Sequence, residues 1–365
     1  MSKGKVYVGL SGGVDSALAT ALLVEQNYDV KAIYMRNWSR DLPGFHCPWA
    51  DELADAERIA VTLGVDLEVW DFEAEYKRTV VDYLVESYRQ GLTPNPDVMC
   101  NQTVKFGSFA ERAFAEGADF VATGHYARVY KEESHTQLFR ARDEHKDQTY
   151  FLWRVGEEVL ARSLFPIGGF ASKAEVRSAC AERGLGIENK PDSDGICFVG
   201  PVGIRTFLLD ELDRRAGDIV EWETGRVLGH HDGAFLYTVG QRRGLDLGGG
   251  PARYVVSTDV QKNLVYVTAD RMCPGLWTRE IELHDVCWIS GEAPAAGRYL
   301  LRTRHTGTLT AVQIDISDGA LCAHYSDAQK RVAPGQSAVI YAGERCLGGG
   351  IVAGPIPQAP FSSLL

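Results

Sequence analysis

The sequence predicts an α/β protein in which a doubly wound parallel sheet is followed by two small β-rich domains. Apolar runs alternate with helical stretches from residue 5 to about residue 200. This alternation is typical of a parallel sheet that helices cover on both faces. After about residue 215 the apolar runs become shorter, and glycine and proline separate them. That change in the sequence pattern indicates short strands joined by turns.

Each element of the N-terminal part is predicted from its own apolar run or helical pattern. Strands are expected at 5–10, 30–35, 65–70 and 120–124. Helices are expected at 17–24, 51–63, 75–90 and 105–116. A further helix follows Ser172, which forms an S-x-x-E capping box with Glu175, and it ends near Gly184.

The C-terminal part is predicted to consist of strands. They are expected at 234–239, 254–257, 264–269, 277–288, 309–316 and 337–341. Because strands resume after the turn Cys273-Pro274-Gly275, we place a domain boundary just after it. The predicted domains are therefore 1–205, 206–278 and 279–365.

The composition limits the class of protein. The chain has 365 residues, with 49 acidic and 38 basic side chains and a net charge of -11. This balance argues against indiscriminate binding to DNA or to an anionic membrane, although it allows a local basic patch. No apolar run approaches the roughly 18 residues of a membrane helix, and the first residues show no signal-peptide pattern. We therefore expect a cytoplasmic protein with reduced cysteines.

A glycine-rich loop, LSGGVDS at 10–16, lies between the first strand and the first helix. Backbone amides at such a turn, together with the helix N-terminus, can hold an anion. The loop is not a Walker A motif, because the lysine of that motif is absent, and it is not G-x-G-x-x-G. A bare SGG is equally well explained as a tight turn capped by Asp15 and Ser16. The full SGGVDS string is much more specific.

Two cysteines stand near the ends of polar segments that contain proline. The first segment, TPNPDVMCN at 93–101, is predicted to be a rigid loop rather than a helix interior. Cys100 follows Asp97 by three residues, so a thiol and a carboxylate could face one pocket. The second segment, KPDSDGICF at 190–198, contains Cys197. A single cysteine is more often a buried apolar residue, whereas two on polar loops favour reactive thiols.

These motifs carry a resemblance to a known family. SGGVDS resembles the pyrophosphate-binding loop of the ATP pyrophosphatases, which cleave ATP between the α and β phosphates. Most of the chain resembles the tRNA-specific 2-thiouridylases through strings in the same order: GLSGGVDS, NPDVMCN, TGHYAR, KDQTYFL, KPDSDGICF, TVGQRRGL, PGQSAV and CLGGG. Asp194 departs from the family pattern, in which glutamine is common. The resemblance implies an adenine nucleotide alpha hydrolase-like first domain and a β-barrel as the last domain.

The resemblance also implies site residues. The ATP-binding residues would be Gly9, Leu10, Ser11, Gly12, Gly13, Val14, Asp15, Ser16, Met35 and Gly124. The target base would lie against Asn95, Pro96 and Asp97. The tRNA contacts would be His125, Lys146, Asp147, Gln148 and Gln336. Arg302, Thr303 and Arg304 belong to the densest basic segment of the last part and are also assigned to tRNA contact. A lone histidine such as His125 is more often structural, and arginines at alternate positions are commonly a solvated strand face. The remaining cysteines, which lack a partner acid, are assigned to packing: Cys47, Cys180, Cys273, Cys287, Cys322 and Cys346.

The implied activity is ATP-dependent 2-thiolation of the wobble uridine, position 34, of tRNA. ATP with Mg²⁺ would adenylate O2 of the uridine, and a Cys197 persulfide would supply sulfur with Cys100 as the partner thiol. Asp97 would act as the acid/base, a transient Cys100–Cys197 disulfide would form, and AMP and pyrophosphate would leave. The sulfur would come from a donor protein, either a cysteine desulfurase or a persulfide relay. No bound protein metal is implied.

Three other functions compete with this hypothesis. An amide-forming ATP pyrophosphatase would share SGGVDS but would not need cysteines on two loops. A thiolating enzyme with an iron–sulfur cluster would need a third cysteine close to Cys100 or Cys197, and none is close in sequence. A sulfur carrier or RNA-binding protein without catalysis would not need ATP, whereas this chain carries a complete phosphate loop.

Overall fold

The computed structural model describes residues 2–42, 47–132, 135–192, 198–200, 203–317 and 320–354. Among these residues, the N-terminal part contains seven strands: β1 (Lys5–Gly9), β2 (Asp29–Arg36), β3 (Asp66–Asp71), β4 (Phe120–Ala122), β5 (Ala127–Glu132), β6 (His135–Arg140) and β7 (Ser163–Leu164). Nine α-helices lie in the described residues: α1 (Val14–Glu25), α2 (Trp49–Leu63), α3 (Glu73–Tyr76), α4 (Asp82–Arg89), α5 (Pro96–Met99), α6 (Phe109–Ala115), α7 (Glu157–Leu160), α8 (Lys173–Glu182) and α9 (Gly203–Glu211). π-Helical turns at Lys77–Val81 and Cys100–Ser108 join α3 to α4 and α5 to α6.

Five strands form a parallel sheet in the order β3-β2-β1-β4-β7. Its central strands β1 and β4 are largely buried, and Val6, Val8 and Ala122 are almost completely shielded from water. The strand order reverses between β1 and β4, and ligands bind at such a reversal beyond the carboxyl ends of the strands. The predicted doubly wound sheet is confirmed, and the glycine-rich loop lies at this reversal.

A four-stranded sheet follows, in the order β10-β11-β8-β9. Its strands are β8 (Gly217–Glu221), β9 (Val227–His231), β10 (Tyr254–Asp259) and β11 (Leu264–Thr268). The strands expected at 254–257 and 264–269 are confirmed. The strand expected at 234–239 is wrong, because Ala234–Leu236 forms a 3-10 turn whose first amide donates to Asn263 Oδ1 at 3.0 Å.

Six strands close into the predicted β-barrel. They are β12 (Trp277–Trp288), β13 (Gly297–Arg302), β14 (Thr310–Ser317), β15 (Ala320–Lys330), β16 (Ser337–Ala342) and β17 (Arg345–Val352). The ring closes because β17 pairs with β16 on one edge and with β12 on the other. Beyond β12 the same edge of β17 pairs with β6, so the β5–β6 hairpin of the N-terminal part extends the barrel sheet.

The N-terminal part and the barrel share an apolar core. Phe106 and Trp153 from the first part belong to one buried cluster with Val339 and Tyr341 from the barrel. This shared core fixes the barrel against the helix that follows Asn95. None of the helices in the described ranges is long and apolar enough to cross a lipid bilayer.

Candidate active site

Hydrogen bonds between the backbone and side chains of the glycine-rich loop fix its conformation. Ser16 Oγ accepts from the Ser11 amide at 3.2 Å and donates to the Gly13 carbonyl at 3.1 Å. Gly12 has a φ of +71°, and a Cβ there would lie 2.3 Å from the Glu52 carbonyl oxygen. Only glycine satisfies both constraints, so the loop packs directly on α2 while its amides surround the N-terminus of α1.

The other predicted nucleotide-binding residues lie beside this loop. A Cβ on Gly124 would stand 2.6 Å from the backbone of Asp15 and Ser16, so Gly124 touches the first turn of α1. A Cβ on Gly9 would stand 2.7 Å from Met35 Cε. Residues from the ends of β1, β2 and β4 are therefore brought together, and their role in ATP binding stays a prediction.

Charged side chains surround the loop on the side of α8. Lys173 Nζ lies 2.7 Å from Asp15 Oδ1, which also accepts from Tyr126 Oη at 2.8 Å. Lys190 Nζ donates to the Gly12 carbonyl at 2.9 Å. Desolvation by burial, followed by Asp15, raises the pKa of Tyr126 well above its usual value, so the phenol stays a proton donor.

The segment at 93–101 is half loop and half helix. The expected loop is confirmed for Thr93, Pro94 and Asn95, but it is wrong from Pro96 onward, where α5 begins. Proline is tolerated there because the first helical residue needs no amide hydrogen bond. Asn95 Oδ1 caps the helix by accepting from the Val98 amide at 3.4 Å.

Asp97 and Cys100 stand about one helical turn apart. Burial raises the pKa of Asp97, and the positive charge of Lys105 opposes that rise. Such a carboxyl can exchange a proton nearer to neutral pH than an exposed aspartate can. The Cys100 side chain is buried in the apolar cluster that also contains Phe198.

Cys197 lies outside the described residues. Its neighbour Phe198 is fully buried, with its ring 5.5 Å from Trp38 and 5.7 Å from Tyr76. Phe198 belongs to the same apolar cluster as Cys100. The pairing of the two cysteines stays a prediction.

Three of the predicted tRNA contacts have buried side chains. His125 Nδ1 lies 2.7 Å from Thr123 Oγ1, and its ring packs against Phe106 and Phe165. Burial, with a smaller contribution from Lys105, holds the pKa of His125 well below its usual value. Asp147 and Arg302 form a buried ion pair of 2.7 Å. These positions favour a structural role over direct contact with RNA.

The other predicted tRNA contacts are more accessible. Lys146 is partly exposed and pairs with Asp192, and Arg304 is exposed on the loop after β13. Gln148 accepts from the Tyr126 amide at 2.9 Å. The Thr303 carbonyl accepts from Tyr150 Oη at 3.2 Å. Their contact with RNA stays a prediction.

Family models match three consecutive parts of the chain. Residues 4–201 match the model described as "tRNA methyl transferase HUP domain". Residues 205–269 match "tRNA methyl transferase PRC-barrel domain", and residues 278–352 match "Aminomethyltransferase beta-barrel domain".

Curated relatives match along nearly the whole chain. The tRNA-specific 2-thiouridylase MnmA of Ralstonia pickettii is 42% identical over 98% of both chains. The same enzyme of Bordetella parapertussis is 43% identical over 96% of this chain and 98% of its own. The one of Idiomarina loihiensis is 40% identical over 95% of each. The chain belongs to the tRNA-specific 2-thiouridylase family.

A solved complex of a 4-thiouridine synthetase with RNA and bound ATP is 18% identical to this chain. It covers 57% of this chain and 49% of its own, with a TM-score of 0.36.

In this member of the 2-thiouridylase family, three parts of the chain meet at Thr93, just before the Asn95 cap. The Thr93 amide donates to the Pro334 carbonyl at 2.8 Å, and the Thr93 carbonyl accepts from Gln336 Nε2 at 2.9 Å. Thr93 Oγ1 lies 3.2 Å from Thr238 Oγ1 in the four-stranded part. The predicted tRNA residue Gln336 thus supports the segment that carries Asp97 and Cys100.

Arg242 and Arg243 lie in the string TVGQRRGL but are not among the predicted site residues. Both side chains are exposed. Gln241 shapes their loop by accepting from the Thr238 amide at 3.0 Å and donating to the Arg243 carbonyl at 2.8 Å. The signal that could have found them is the RR dipeptide inside a string already matched to an RNA-modifying family.

One group of metal-ligand type side chains occurs among the described residues, formed by Glu280, Cys322 and His324. It lies on β12 and β15 of the barrel, and Glu280 is exposed. No residue predicted for the 2-thiouridylase reaction belongs to it. His324 Nε2 also lies 3.4 Å from Asp315 Oδ2, so carboxylates already surround the imidazole.

Proposed function

We propose that this protein is an ATP-dependent tRNA-uridine 2-sulfurtransferase that thiolates C2 of the wobble uridine, position 34. One observation carries the proposal: the SGGVDS loop lies at the strand reversal of the parallel sheet, in a chain that belongs to the 2-thiouridylase family. The cofactor is ATP, and the substrate is tRNA. A base in the anticodon loop is already unpaired, so moving it into a pocket costs little free energy.

The first step activates the base. The triphosphate binds the amides of residues 9–16, with Met35 and Gly124 beside the nucleoside. O2 of the uridine attacks the α-phosphorus, the bond to the β-phosphate oxygen breaks, and pyrophosphate leaves. The Asp97 carboxylate takes the N3 proton as the new oxygen–phosphorus bond forms. Adenylation is needed because a uracil carbonyl oxygen is a poor leaving group, whereas AMP is a good one.

The second step delivers sulfur. The terminal sulfur of a Cys197 persulfide attacks C2, and AMP leaves with O2. The Cys100 thiolate then attacks Cys197 Sγ, which breaks the sulfur–sulfur bond and forms a Cys100–Cys197 disulfide. Protonated Asp97 returns the proton to N3 as the C2 thiocarbonyl forms. In the other order, Cys100 releases hydrosulfide first and the hydrosulfide attacks C2. An external thiol reduces the disulfide, and a donor protein, a cysteine desulfurase or a persulfide relay, renews the persulfide.

Magnesium accompanies ATP in this proposal. The Asp15 side chain offers carboxylate oxygens beside the loop and is about one third exposed, which suits a hard cation that prefers oxygen ligands. Bound Mg²⁺ would neutralise phosphate charge during pyrophosphate release. The protein's own side chains fix the conformation of the phosphate loop and place Asp97 near the base.

Nucleoside mass spectrometry tests the activity. Unmodified tRNA is incubated with the protein, Mg-ATP and a sulfide source, with and without ATP. We expect uridine with one oxygen replaced by sulfur, only with ATP and only at position 34. Cleavage of ATP to AMP without a thiolated nucleoside would instead favour a small-molecule ATP pyrophosphatase.

The cysteine roles have their own test. Cys197→Ser should abolish sulfur transfer from a protein donor and retain ATP-dependent adenylation of tRNA, measured with radiolabelled ATP. Cys346→Ser is the matched control because Cys346 lies in the barrel on β17. Loss of tRNA adenylation in Cys197→Ser would contradict the assigned role.

A further inference from the structure

The phosphate loop contains no basic residue, although a triphosphate carries several negative charges. The string SGGVDS offers amides and hydroxyls only. The structure brings cations to it from later parts of the chain: Lys190 Nζ lies 2.9 Å from the Gly12 carbonyl, and Lys173 Nζ lies 2.7 Å from Asp15 Oδ1. These side chains place positive charge beside a phosphate loop that lacks the lysine of a Walker motif.

One of these cations, Lys173, also contacts a second carboxylate of the protein, Asp192. Asp192 accepts from Lys146 at 2.7 Å and from Arg177 at 2.8 Å, and it lies 3.0 Å from Lys173. Three positive charges thus meet one carboxylate. Although partial burial opposes it, hydrogen bonds from Lys146 and Lys173 lower the pKa of Asp192 to about 2, so it is ionised at neutral pH.

We propose that the Asp192 carboxylate competes with the ATP phosphates for Lys173. When ATP binds, Lys173 exchanges its contact with Asp192 for a contact with phosphate. This inference rests on the proposed function, since it assumes that the loop binds ATP. It assigns Lys173 as a phosphate-binding residue and Asp192 as a residue that tunes nucleotide affinity.

Charge explains why the exchange favours ATP. Lys146, Lys173 and Arg177 carry three positive charges against the two negative charges of Asp192 and Asp15, so one positive charge is left for a further anion. Lys173 already bridges Asp15 in the first turn of α1 and Asp192, with Nζ within 3.0 Å of both carboxylates. A small movement of the Lys173 side chain therefore transfers its charge from Asp192 to a phosphate bound beside Asp15.

Calorimetric titration of the full-length protein with a non-hydrolysable ATP analogue and Mg²⁺ tests the inference. Asp192→Asn removes the competitor, and we expect the analogue to bind about fivefold more tightly, as expected for removing one partly screened charge. Lys173→Gln should weaken binding at least tenfold. In the double variant, Asp192→Asn should no longer tighten binding, because the shared cation is gone.

Arg183→Gln is the matched control. Arg183 directly follows α8 and pairs with Glu25 at 2.7 Å, so this variant removes a cation near the same helix without touching the cluster. Its affinity for the analogue should equal that of the wild type. The melting temperature of each variant shows whether the fold is retained.

The outcomes separate the inference from the proposed function. Unchanged or weaker binding by a folded Asp192→Asn variant would overturn the inference and leave the proposed function standing. A wild-type protein that binds no ATP analogue would overturn both. Tighter binding by Asp192→Asn that persists in the Lys173→Gln background would place the competition on another cation and contradict the role of Lys173.

Discussion

At the residue scale, the surroundings of Asp97 decide whether it can move a proton. Burial raises its pKa, and Lys105 lowers it by a smaller amount. A base must be deprotonated, so thiolation should decline as the pH falls through this raised pKa. We expect Asp97→Asn to lower kcat by about a hundredfold or more and to abolish this acid limb. The measurement is a pH–rate profile with saturating ATP and tRNA.

Asp82→Asn is the control for this experiment. Asp82 is exposed and pairs with Lys77 at 2.6 Å, so its loss should leave the profile unchanged. An acid limb that persists in Asp97→Asn would assign the titration to a different group.

Gly124 gives a second residue-scale prediction, because a side chain cannot fit there. A Cβ would lie 2.6 Å from the Asp15 carbonyl carbon and the Ser16 nitrogen. We expect Gly124→Ala to push the start of α1 away from β4 and to weaken ATP binding at least tenfold, measured by calorimetry. In Gly156→Ala, where no atom lies within 4 Å of the new Cβ, affinity should not change. Equal affinity in both variants would remove Gly124 from the nucleotide site.

At the element scale, the ion pair between Asp147 and Arg302 connects the turn before Thr149–Phe151 to β13. Asp147 is fully buried and also accepts from Thr149 Oγ1 at 2.9 Å. Asp147→Asn leaves the Arg302 charge buried without a partner, so we expect a loss of about 3 kcal/mol in the free energy of unfolding, measured with urea. Exposed Asp285, which pairs with Arg154, is the control: Asp285→Asn should change it by less than about 1 kcal/mol. Full stability with lost tRNA binding would make Asp147 an RNA contact instead.

The elements that sequence predicted well are those whose signal is local. Strands β1 and β2 contain short apolar runs. Helix α8 begins at the capping box, where Ser172 Oγ accepts from the Glu175 amide at 3.2 Å. The Glu175 carboxylate accepts from the Ala171 amide, one residue earlier than the motif predicts. Local spacing therefore determines where α8 starts. The amide that the Glu175 carboxylate accepts from depends on the path of the residues before the helix.

The elements that sequence missed depend on distant partners. No local pattern shows that the β5–β6 hairpin pairs with β17, some 200 residues later, through the pairs Phe139–Arg345 and Leu138–Cys346. The start of α5 at Pro96 was missed because the local pattern is misleading. Pro94 and Pro96 stand among polar residues, and such a composition is typical of a loop. The residues of the candidate site were predicted from sequence. The contacts of Thr93 with Pro334, Gln336 and Thr238 are tertiary contacts, and no local pattern shows them.

At the scale of the whole molecule, a chain with a net charge of -11 has to bind a polyanion through a local surface. Arg242 and Arg243 supply positive charge on the loop that begins at Thr238, and Thr238 touches Thr93 beside the candidate base pocket. No ion pair in the described ranges uses either guanidinium group. The two charges are thus available beside the site, although the molecule as a whole is acidic.

The exposed positions of Arg242 and Arg243 lead to a prediction about how tRNA affinity depends on salt concentration. If both arginines contact phosphates, replacing them with alanine should weaken tRNA binding and reduce the slope of log affinity against log salt by about 1 to 2. Affinity for the ATP analogue should not change, because neither residue lies at the phosphate loop. The measurement is filter binding over a salt series, with Arg78→Ala as control, since Arg78 is exposed and already paired with Glu75. A slope equal to that of the wild type would place the RNA surface elsewhere, because removing phosphate contacts necessarily changes the number of released counterions.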